Sequence, residues 1–394
     1  MQPEFECHLM PIVQRPAPVM VRGAGSYLWD DRGARYLDFI QGWAVNALGH
    51  TPTEVVRALG KQAASLLTPS PALHNAPQLE LAARLTALSG LHQACFTSSG
   101  AEAIEVAIKL ARKWGRLYRG GAFEIVTTHN AFHGRTLAAM AASGKPGWEA
   151  LFPPVVPGFT KVQFGDLDSV RAAVTESTAA ILVEPIQGEG GVVVPPSGYL
   201  QGLRQIADER GVLLMLDEIQ TGIGRTGRLF AHQLESIRPD VMTLGKGLGG
   251  GVPIAATLAN ERASVFEPGD QGGTFAGNPL TAAAALAVLD VVCHRGFFRN
   301  VQERGEELAA GLQILSERHG GTEVRGRGLL WALRLGAPTA ERVRDECFSR
   351  GLLVNAARPD VLRFMPSLRV SSAEIAEMLA HLNVALARTA TRAA

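Results

Sequence analysis

The segment 240–256, "DVMTLGKGLGGGVPIAA", poses a choice between two folds. Gly245, Gly247 and Gly250 satisfy G-x-G-x-x-G, the pattern of a dinucleotide-binding turn, and Lys246 lies inside that pattern. Such a turn needs a strand and then a helix whose amino end meets the phosphates. "DVMTL" predicts the strand, but consecutive glycines and Pro253 oppose a helix, and "VPIAATLA" predicts a further strand. The segment therefore favours a lysine placed for covalent chemistry, with a surface lysine as the open alternative.

The segments around this lysine alternate between apolar runs and helical patterns. The runs at 94–97, 123–129, 179–185, 211–218 and 240–244 predict buried strands. The stretches 101–118 and 196–211 have the amphipathic pattern of helices, the second closed by Gly211. This alternation predicts an α/β fold with a mostly parallel sheet covered by helices on both faces.

The two ends of the chain have a different pattern. Residues 23–40 predict a hairpin with its turn at 31–33, and the chain from about 296 predicts helix 298–320, strand 323–335, helix 337–351 and strand 352–368. We therefore expect a large domain over residues 46–290. A smaller domain is expected from both termini, with residues 1–45 and 291–394.

Composition limits the possible partners. Of 394 residues, 46% are apolar and 19% are charged, and the net charge is +1, which gives no support for a nucleic-acid or membrane partner. The cysteines Cys7, Cys95, Cys293 and Cys347 form no C-x-x-C pair, so reduced thiols and no metal site are expected. No signal peptide is visible in "MQPEFECHLM", so the predicted location is the cytoplasm.

Polar residues follow several of the predicted strands. They are Ser98 to Gly100, His129 to Arg135, Glu184 to Glu189, Asp217 to Gln220, and Lys246. In open parallel sheets, ligands bind beyond the carboxyl ends of the strands. These residues therefore predict one ligand site.

Two of these groups indicate the kind of ligand. Asp217 ends an apolar strand, where a buried carboxylate needs a cation; a pyridinium nitrogen would serve, and a turn cap or a pair with Arg225 is the alternative. Small residues precede the helix at 101–118, whose free N–H groups would bind a phosphate monoester. An ordinary N-cap by Ser98 or Ser99 is compatible with that role.

The motifs "TSSGAEA", "AFHGRT", "VEPIQGEGG", "LDEIQTGIGRTG", "TLGKGLGGG" and "GGTFAGNPL" occur in this order. In these motifs the sequence resembles the class III (ω-amino) aminotransferases, fold-type I enzymes of pyridoxal 5'-phosphate, over nearly the whole chain. Within the class, "QGWAVNALGH", "HNAFHGRTLAA", "EPIQGEGGV" and "LRFMPSL" are most similar to the acetylornithine aminotransferases.

The resemblance implies a role for each cofactor-site residue. Lys246 would hold the cofactor covalently and then carry the proton, and Asp217 would keep the pyridine nitrogen protonated. The remaining cofactor contacts would be Phe132 and Ile219 on the ring faces, Gln220 on the ring hydroxyl, Ser99, Gly100 and Ala101 at the phosphate, and Thr274 at the phosphate of a neighbouring subunit. The last contact implies a homodimer. A plain packing role for Phe132 and Ile219, or a turn role for Thr274, is the alternative.

The resemblance also implies the substrate contacts. Arg135 and Arg363 would clamp carboxylates, Glu189 would mask Arg363, and Gly273 would lie in the substrate site; structural ion pairs are the alternative for both arginines. The sequence departs from the family at Ala101 and Ile104, where relatives often have threonine and asparagine. It also departs at Val13, where relatives carry a tyrosine that, in ornithine aminotransferases, contacts the substrate α-amine.

The expected activity is transfer of the δ-amino group of N2-acetyl-L-ornithine to 2-oxoglutarate in arginine biosynthesis. Alternative donors are succinyldiaminopimelate, succinylornithine and 4-aminobutyrate. Val13 disfavours free ornithine. A protein that binds the cofactor without turnover, in a regulatory role, is the alternative from another class.

Overall fold

The structure is a computed structural model that describes residues 8–391. The strands are β1 (Met20–Ala24), β2 (Tyr27–Asp30), β3 (Arg35–Asp38), β4 (Gln93–Thr97), β5 (Glu124–Thr128), β6 (Phe159–Val162), β7 (Thr178–Val183), β8 (Leu213–Asp217), β9 (Val241–Leu244), β10 (Ala255–Ala259), β11 (Glu323–Arg327), β12 (Leu330–Arg334), β13 (Leu352–Leu353), β14 (Asn355–Arg358) and β15 (Val361–Phe364). The helices are α1 (Gln41–Ala44), α2 (Thr53–Ala63), α3 (Ala76–Ser89), α4 (Gly100–Tyr118), α5 (Leu137–Ala142), α6 (Leu167–Ala173), α7 (Tyr199–Arg210), α8 (Pro279–Val292), α9 (Phe297–His319), α10 (Ala340–Phe348) and α11 (Ser372–Thr391).

Seven strands form the central sheet, in the order β4-β10-β9-β8-β7-β5-β6. The pairs β9-β8, β8-β7, β7-β5 and β5-β6 are parallel. Only β10 runs antiparallel to its neighbours in this sheet, β4 and β9. The predicted α/β fold with a mostly parallel sheet is thus confirmed.

Alternate residues of the central strands pack against opposite layers of helices. Leu213 and Met215 of β8 pack in one cluster with residues of α4. Leu214 and Leu216 pack on the other side with residues of α6 and α7. Both faces of the sheet are therefore covered, which explains why its strands are continuous apolar runs rather than alternating ones.

Two further sheets lie outside the central one; the first combines both ends of the chain, and the second is built from the carboxyl-terminal part alone. One has the order β1-β2-β3-β13 and the other the order β11-β12-β15-β14. The hairpin predicted over residues 23–40 is present as β2 and β3, which pair antiparallel. The predicted division into a large domain, residues 46–290, and a smaller domain, residues 1–45 and 291–394, stays a prediction.

Two predicted single strands are wrong. Residues 323–335 form the hairpin β11-β12, because Gly328 adopts a φ of +58° and reverses the chain. A Cβ on Gly328 would lie 2.5 Å from the carbonyl carbon of Thr226, so the turn is packed closely against that loop. Residues 352–368 hold three short strands, β13, β14 and β15, which belong to two sheets.

No single helix within residues 8–391 is both long and apolar enough to cross a bilayer. The helices Pro279–Val292 and Phe297–His319 are long and apolar enough only when taken together, and they are bent by 74° relative to each other. Cys95, Cys293 and Cys347 are free thiols, and Cys7 lies outside the described residues.

Candidate active site

One cavity of about 250 Å³ lies where β5, β7, β8 and β9 end. Nine residues predicted from the sequence line it: Gly100, Ala101, Phe132, Arg135, Glu189, Asp217, Ile219, Gln220 and Lys246. His133 and Glu184 also line it. The carboxyl ends of the parallel strands thus bring together residues that are far apart in the sequence.

Lys246 begins a 3-10 turn, Lys246–Gly249, directly after β9. The chain then enters β10, so the helix that a dinucleotide-binding turn requires does not follow. The backbone of Lys246 has a φ of +43°, a conformation that costs a non-glycine residue about 1–3 kcal/mol. Burial lowers the pKa of its amine, against the charge of Glu189 and with the charge of Arg363. The neutral amine that a nucleophile or proton carrier needs is therefore favoured.

Asp217, at the end of β8, is 4% exposed. Its Oδ2 lies 2.8 Å from Nδ1 of His133, and its Oδ1 accepts hydrogen bonds from the Ile219 N–H and the Thr243 hydroxyl. Because a carboxylate only accepts, Nδ1 of His133 carries the hydrogen. Arg225, the alternative partner, instead donates to the carbonyl oxygens of Leu329 and Pro366. The pair of Asp217 with Arg225 is therefore wrong.

His133 and Glu184 fall within segments that the sequence placed at the ligand site, but the sequence predicted no individual role for either. Glu184 accepts hydrogen bonds from the N–H groups of Phe132, at 2.9 Å, and Gly188, at 3.1 Å. Burial raises its pKa to about 7, although the charge of His133 and these N–H groups oppose the rise. The position of His133 inside "AFHGRT", next to Phe132, was the available signal for it.

The amino end of α4 points two free donors at the cavity. Ser99 caps the helix in a capping box with Glu102, which occupies the N–H groups of Ser98 and Ser99. The N–H groups of Gly100 and Ala101 have no acceptor among the described residues. A helix amino end with free donors favours an anion such as a phosphate.

Gly134 lies against this helix start. Its φ is +133°, and a Cβ at this position would lie 2.7 Å from Cβ of Ala101. The helix start and the loop that carries Phe132 therefore approach so closely that only glycine fits at 134.

The residues around the cavity fit pyridoxal 5'-phosphate. The amide nitrogen Nε2 of Gln220 is buried without a hydrogen-bond partner among the described residues, and Gln220 lines the cavity. An unpaired buried donor is costly, so it indicates a ligand acceptor such as a ring hydroxyl. The walls add Phe132 and Ile219 for a planar ring, Asp217 for a ring cation and the α4 donors for a phosphate.

Arg363 lies on β15 beside the cavity and is fully buried. Its Nη2 lies 2.6 Å from Oε1 of Glu189, its Nη1 donates to Gln220 at 3.3 Å, and its Nε donates to Asn355 at 3.0 Å. Burial acts to raise the pKa of Glu189, but the charges of Arg363 and Lys246 outweigh it, and the pKa lies below its ordinary value. Glu189 is therefore an ionised partner, and its side chain keeps 27% exposure.

Four predicted residues do not line this cavity. Arg363 lies beside it, Ser99 caps α4, and Gly273 and Thr274 are exposed. Gly273 instead borders a separate groove of about 780 Å³ along α3 and β4. Val13 is also exposed, at 50%. Within residues 8–391, no group of three or more histidine, cysteine or acidic residues could hold a metal ion.

Comparison with known proteins identifies relatives along the whole chain. Residues 12–386 match the family described as aminotransferase class-III. The chain is 53% identical over 382 residues to acetylornithine aminotransferase 2 of Bordetella bronchiseptica, with 96% of each chain covered.

Solved structures give the same picture. N-acetylornithine aminotransferase from Stenotrophomonas maltophilia superposes with a TM-score of 0.84 at 37% identity, covering 95% of this chain and 97% of that one. An ornithine aminotransferase from Toxoplasma gondii, with partial occupancy of PLP at its active site, superposes with a TM-score of 0.93 at 32% identity, covering 100% of this chain and 96% of that one.

Proposed function

The chain belongs to the class III aminotransferases, which depend on pyridoxal 5'-phosphate, and from this premise we propose that it moves the δ-amino group of N2-acetyl-L-ornithine to 2-oxoglutarate. The products are N-acetylglutamate semialdehyde and glutamate. The observation that carries the proposal is the pair of Arg363 with a partly exposed Glu189 beside Lys246. A buried cation whose partner can be exchanged allows the site to take two kinds of donor. One kind carries an α-carboxylate at the reacting end, and the other does not.

The cofactor residues act as follows in this proposal. When bound, pyridoxal phosphate would supply an electron sink for the reacting carbon and would carry the amino group from donor to acceptor. Asp217 holds a proton at its ring nitrogen, and His133 orients Asp217 through the 2.8 Å hydrogen bond. Gln220 binds the ring hydroxyl, and the free N–H groups of Gly100 and Ala101 bind the phosphate.

Lys246 binds the cofactor and then moves the proton at the reacting carbon of the substrate. Its lowered pKa favours the neutral amine that both tasks require. A surface lysine, charged at neutral pH, could do neither without first losing a proton.

Arg363 and Arg135 bind different carboxylates of the two substrates in this proposal. Glutamate carries two carboxylates, so its α-carboxylate displaces Glu189 from Arg363 and its side-chain carboxylate reaches Arg135. Acetylornithine has only methylene groups near its δ-amine, and there Glu189 stays on Arg363, because an unpaired buried cation would cost several kcal/mol. Its single carboxylate, at the far end, is held by Arg135, which is exposed at the cavity wall.

A donor screen tests the proposed substrate. With 2-oxoglutarate fixed, glutamate formation is measured for acetylornithine, succinylornithine, succinyldiaminopimelate, 4-aminobutyrate and ornithine. We expect acylated ornithines to be preferred over free ornithine. A preference for 4-aminobutyrate or ornithine would contradict the assigned donor.

Lys246→Ala tests the proposed role of Lys246 in the chemistry. It should retain bound cofactor and lose essentially all turnover, because the proton carrier is gone. Borohydride reduction of the wild-type protein should attach the cofactor to the peptide that holds Lys246. A label on another lysine would contradict the assignment.

The working unit in this proposal is a homodimer. Thr274 and Gly273 are exposed and lie outside the cavity of their own chain, and nearby Phe275 is 65% exposed. If Thr274 binds a phosphate, the phosphate is that of a second copy, and each site takes residues from both chains. A cytoplasmic location is a further prediction that rests on the sequence alone.

Mixed dimers test this assembly. Lys246→Ala and Thr274→Glu should each be inactive, the second because its carboxylate repels the phosphate. In a mixed dimer, the chain with intact Lys246 receives an intact Thr274, so one site of two should work. No recovery of activity in well-exchanged dimers would show that each site is built within one chain.

A further inference from the structure

Trp148 lies beside the cavity and carries two cations on its ring. The guanidinium carbon of Arg135 lies 4.7 Å from the ring centroid, and Nζ of Lys145 lies 5.3 Å from it. Trp148 is 9% exposed and also packs edge-to-face on Phe132, with 5.8 Å between the ring centroids. One indole therefore connects the wall of the cofactor cavity with both cations.

Neither cation has an ionic partner. Within residues 8–391, no carboxylate lies within 4.0 Å of the charged nitrogens of Arg135 or Lys145. Burial lowers the pKa of Lys145, and the charge of Arg135 lowers it further. Glu189 acts in the opposite direction, but it is bound to Arg363 at 2.6 Å. Two cations are thus held near each other and uncompensated, an arrangement that a bound anion would stabilise.

Lys145 is held in this place by its backbone. The neighbouring Gly144 exchanges hydrogen bonds with the loop before Phe132, donating to Ala131 and accepting from Asn130. A Cβ on Gly144 would lie 2.2 Å from the carbonyl oxygen of Thr128, so only glycine fits there. A turn closed by the bond from the Trp148 N–H to the Lys145 carbonyl then directs Lys145 to Trp148. The backbone of Lys145 is therefore fixed at a point from which its Nζ lies over the ring of Trp148.

A third cation nearby is already engaged. Arg358 donates to Oδ1 of Asn130 at 2.9 Å and to the Gly190 carbonyl at 3.4 Å. Both acceptors are neutral, so Arg358 adds positive charge to this side of the cavity while two of its N–H donors are occupied. Arg135 and Lys145 are the pair left to bind an anion.

We infer that Arg135 and Lys145, both packed on Trp148, form a two-cation clamp for the end of the amino donor remote from the reacting carbon. The inference rests on the proposed function and assigns Lys145 as a specificity-determining residue. Arg135 takes the α-carboxylate of the donor. Lys145 takes a second negative charge, so a donor whose acyl group ends in a carboxylate engages both cations, and a donor with a neutral acyl group engages only one.

Binding of unreactive probes tests the clamp directly. N2-acetyl-L-norvaline and N2-succinyl-L-norvaline lack the reacting amine and differ by one carboxymethyl group, which adds a carboxylate at the remote end. Calorimetry on the holoenzyme should show Lys145→Gln weakening the succinyl probe about tenfold and the acetyl probe less than about twofold. Lys145→Arg should restore the succinyl probe, and Lys61→Gln, on the exposed face of α2, should change neither.

Turnover of the matching donors supplies the second measurement. The value of kcat/KM for N2-succinylornithine should fall about tenfold in Lys145→Gln, mainly through KM, while that for N2-acetylornithine changes little. If wild-type protein turns over neither donor, the proposed function fails, and calorimetry still decides on the clamp. Equal losses for the two probes, or no binding of the succinyl probe by wild-type protein, would overturn the clamp.

Discussion

Two of the largest fully buried side chains are arginines, and the positive charge of each is stabilised by a different kind of partner. Arg363 is 0% exposed and Arg225 is 2% exposed. Arg363 has an ionised partner, Glu189, at 2.6 Å. Arg225 has no ionic partner among residues 8–391, and its Nη1 donates to the carbonyl oxygens of Leu329 at 2.9 Å and Pro366 at 2.6 Å. Burial lowers the pKa of Arg225 to about 9, still above neutral pH, so its guanidinium remains charged.

Both arginines join the central sheet to the sheet β11-β12-β15-β14, in opposite directions. Arg225 lies in the loop after β8 and binds the carbonyl oxygens of residues next to β12 and β15, whereas Arg363 lies on β15 and binds the loop after β7. Backbone carbonyls cannot leave without unfolding their segment. A glutamate side chain that is 27% exposed can rotate away. We therefore expect the mobility of the partner, rather than burial of the cation, to distinguish the proposed substrate-binding arginine from the structural one.

The largest expected effect is on Arg363. Arg363→Met leaves Glu189 without its cation and the substrate α-carboxylate without its clamp. Loss of one partner of a buried charge pair costs about 2–5 kcal/mol, so kcat/KM for glutamate should fall by about 30- to 5,000-fold. Steady-state kinetics measure this, with Arg369→Met, which removes an exposed pair with Glu54, as the control. Glutamate turnover within threefold of wild type would assign Arg363 a structural role.

Arg225 should show the opposite division between stability and activity. Arg225→Met removes the donor for two buried carbonyls, at about 1–3 kcal/mol each, and relieves part of this by removing a buried charge. The free energy of unfolding should fall by about 2–4 kcal/mol, while turnover per folded molecule changes less than about threefold. Urea unfolding of the holoenzyme and active-site titration check the two parts. An activity loss as large as in Arg363→Met would contradict a purely structural role for Arg225.

Glu184 extends the comparison to a buried acid with immobile backbone partners. Its pKa is raised in the folded protein from the ordinary value of 4.5 to about 7 by burial. Its contribution is therefore fully present below pH 4.5 and is lost as the pH rises through 7. Relative to Glu184→Gln, the wild-type free energy of unfolding should fall by about 2–3 kcal/mol between pH 5 and pH 8. A constant difference between the two proteins over this range would contradict the raised pKa.

The sequence predicted which strand-end residues meet because the geometry of parallel sheets requires it. Asp217, Lys246 and Gln220 follow buried strands, and the carboxyl ends of such strands share one edge. The helix cap at Ser99 follows from a local pattern as well. The roles of these residues in catalysis stay predictions until variants are measured.

The remaining features depend on contacts between distant segments. His133 as the partner of Asp217, 84 positions away in the sequence, and Arg225 bound to Pro366 have no local signature. The pairing of Arg135 and Lys145 on Trp148 depends on a turn that only the fold places beside the cavity. The hairpin β11-β12 was missed for a different reason, since "EVRGRGLLWALRL" has an apolar second half that hides the reversal at Gly328.

In the proposed function, Glu189 is an exchangeable partner of Arg363, which it leaves when the α-carboxylate of a substrate binds. The measurement is the single-turnover rate of Glu189→Gln with each donor, followed by the absorbance of the bound cofactor, with Glu54→Gln as the control. The account predicts a slower reaction with acetylornithine and an equal or faster one with glutamate. The ratio should shift about ten- to several-hundred-fold if about 1.4–3.5 kcal/mol of pairing is lost. Equal losses with both donors would show that Glu189 only supports the structure of the site.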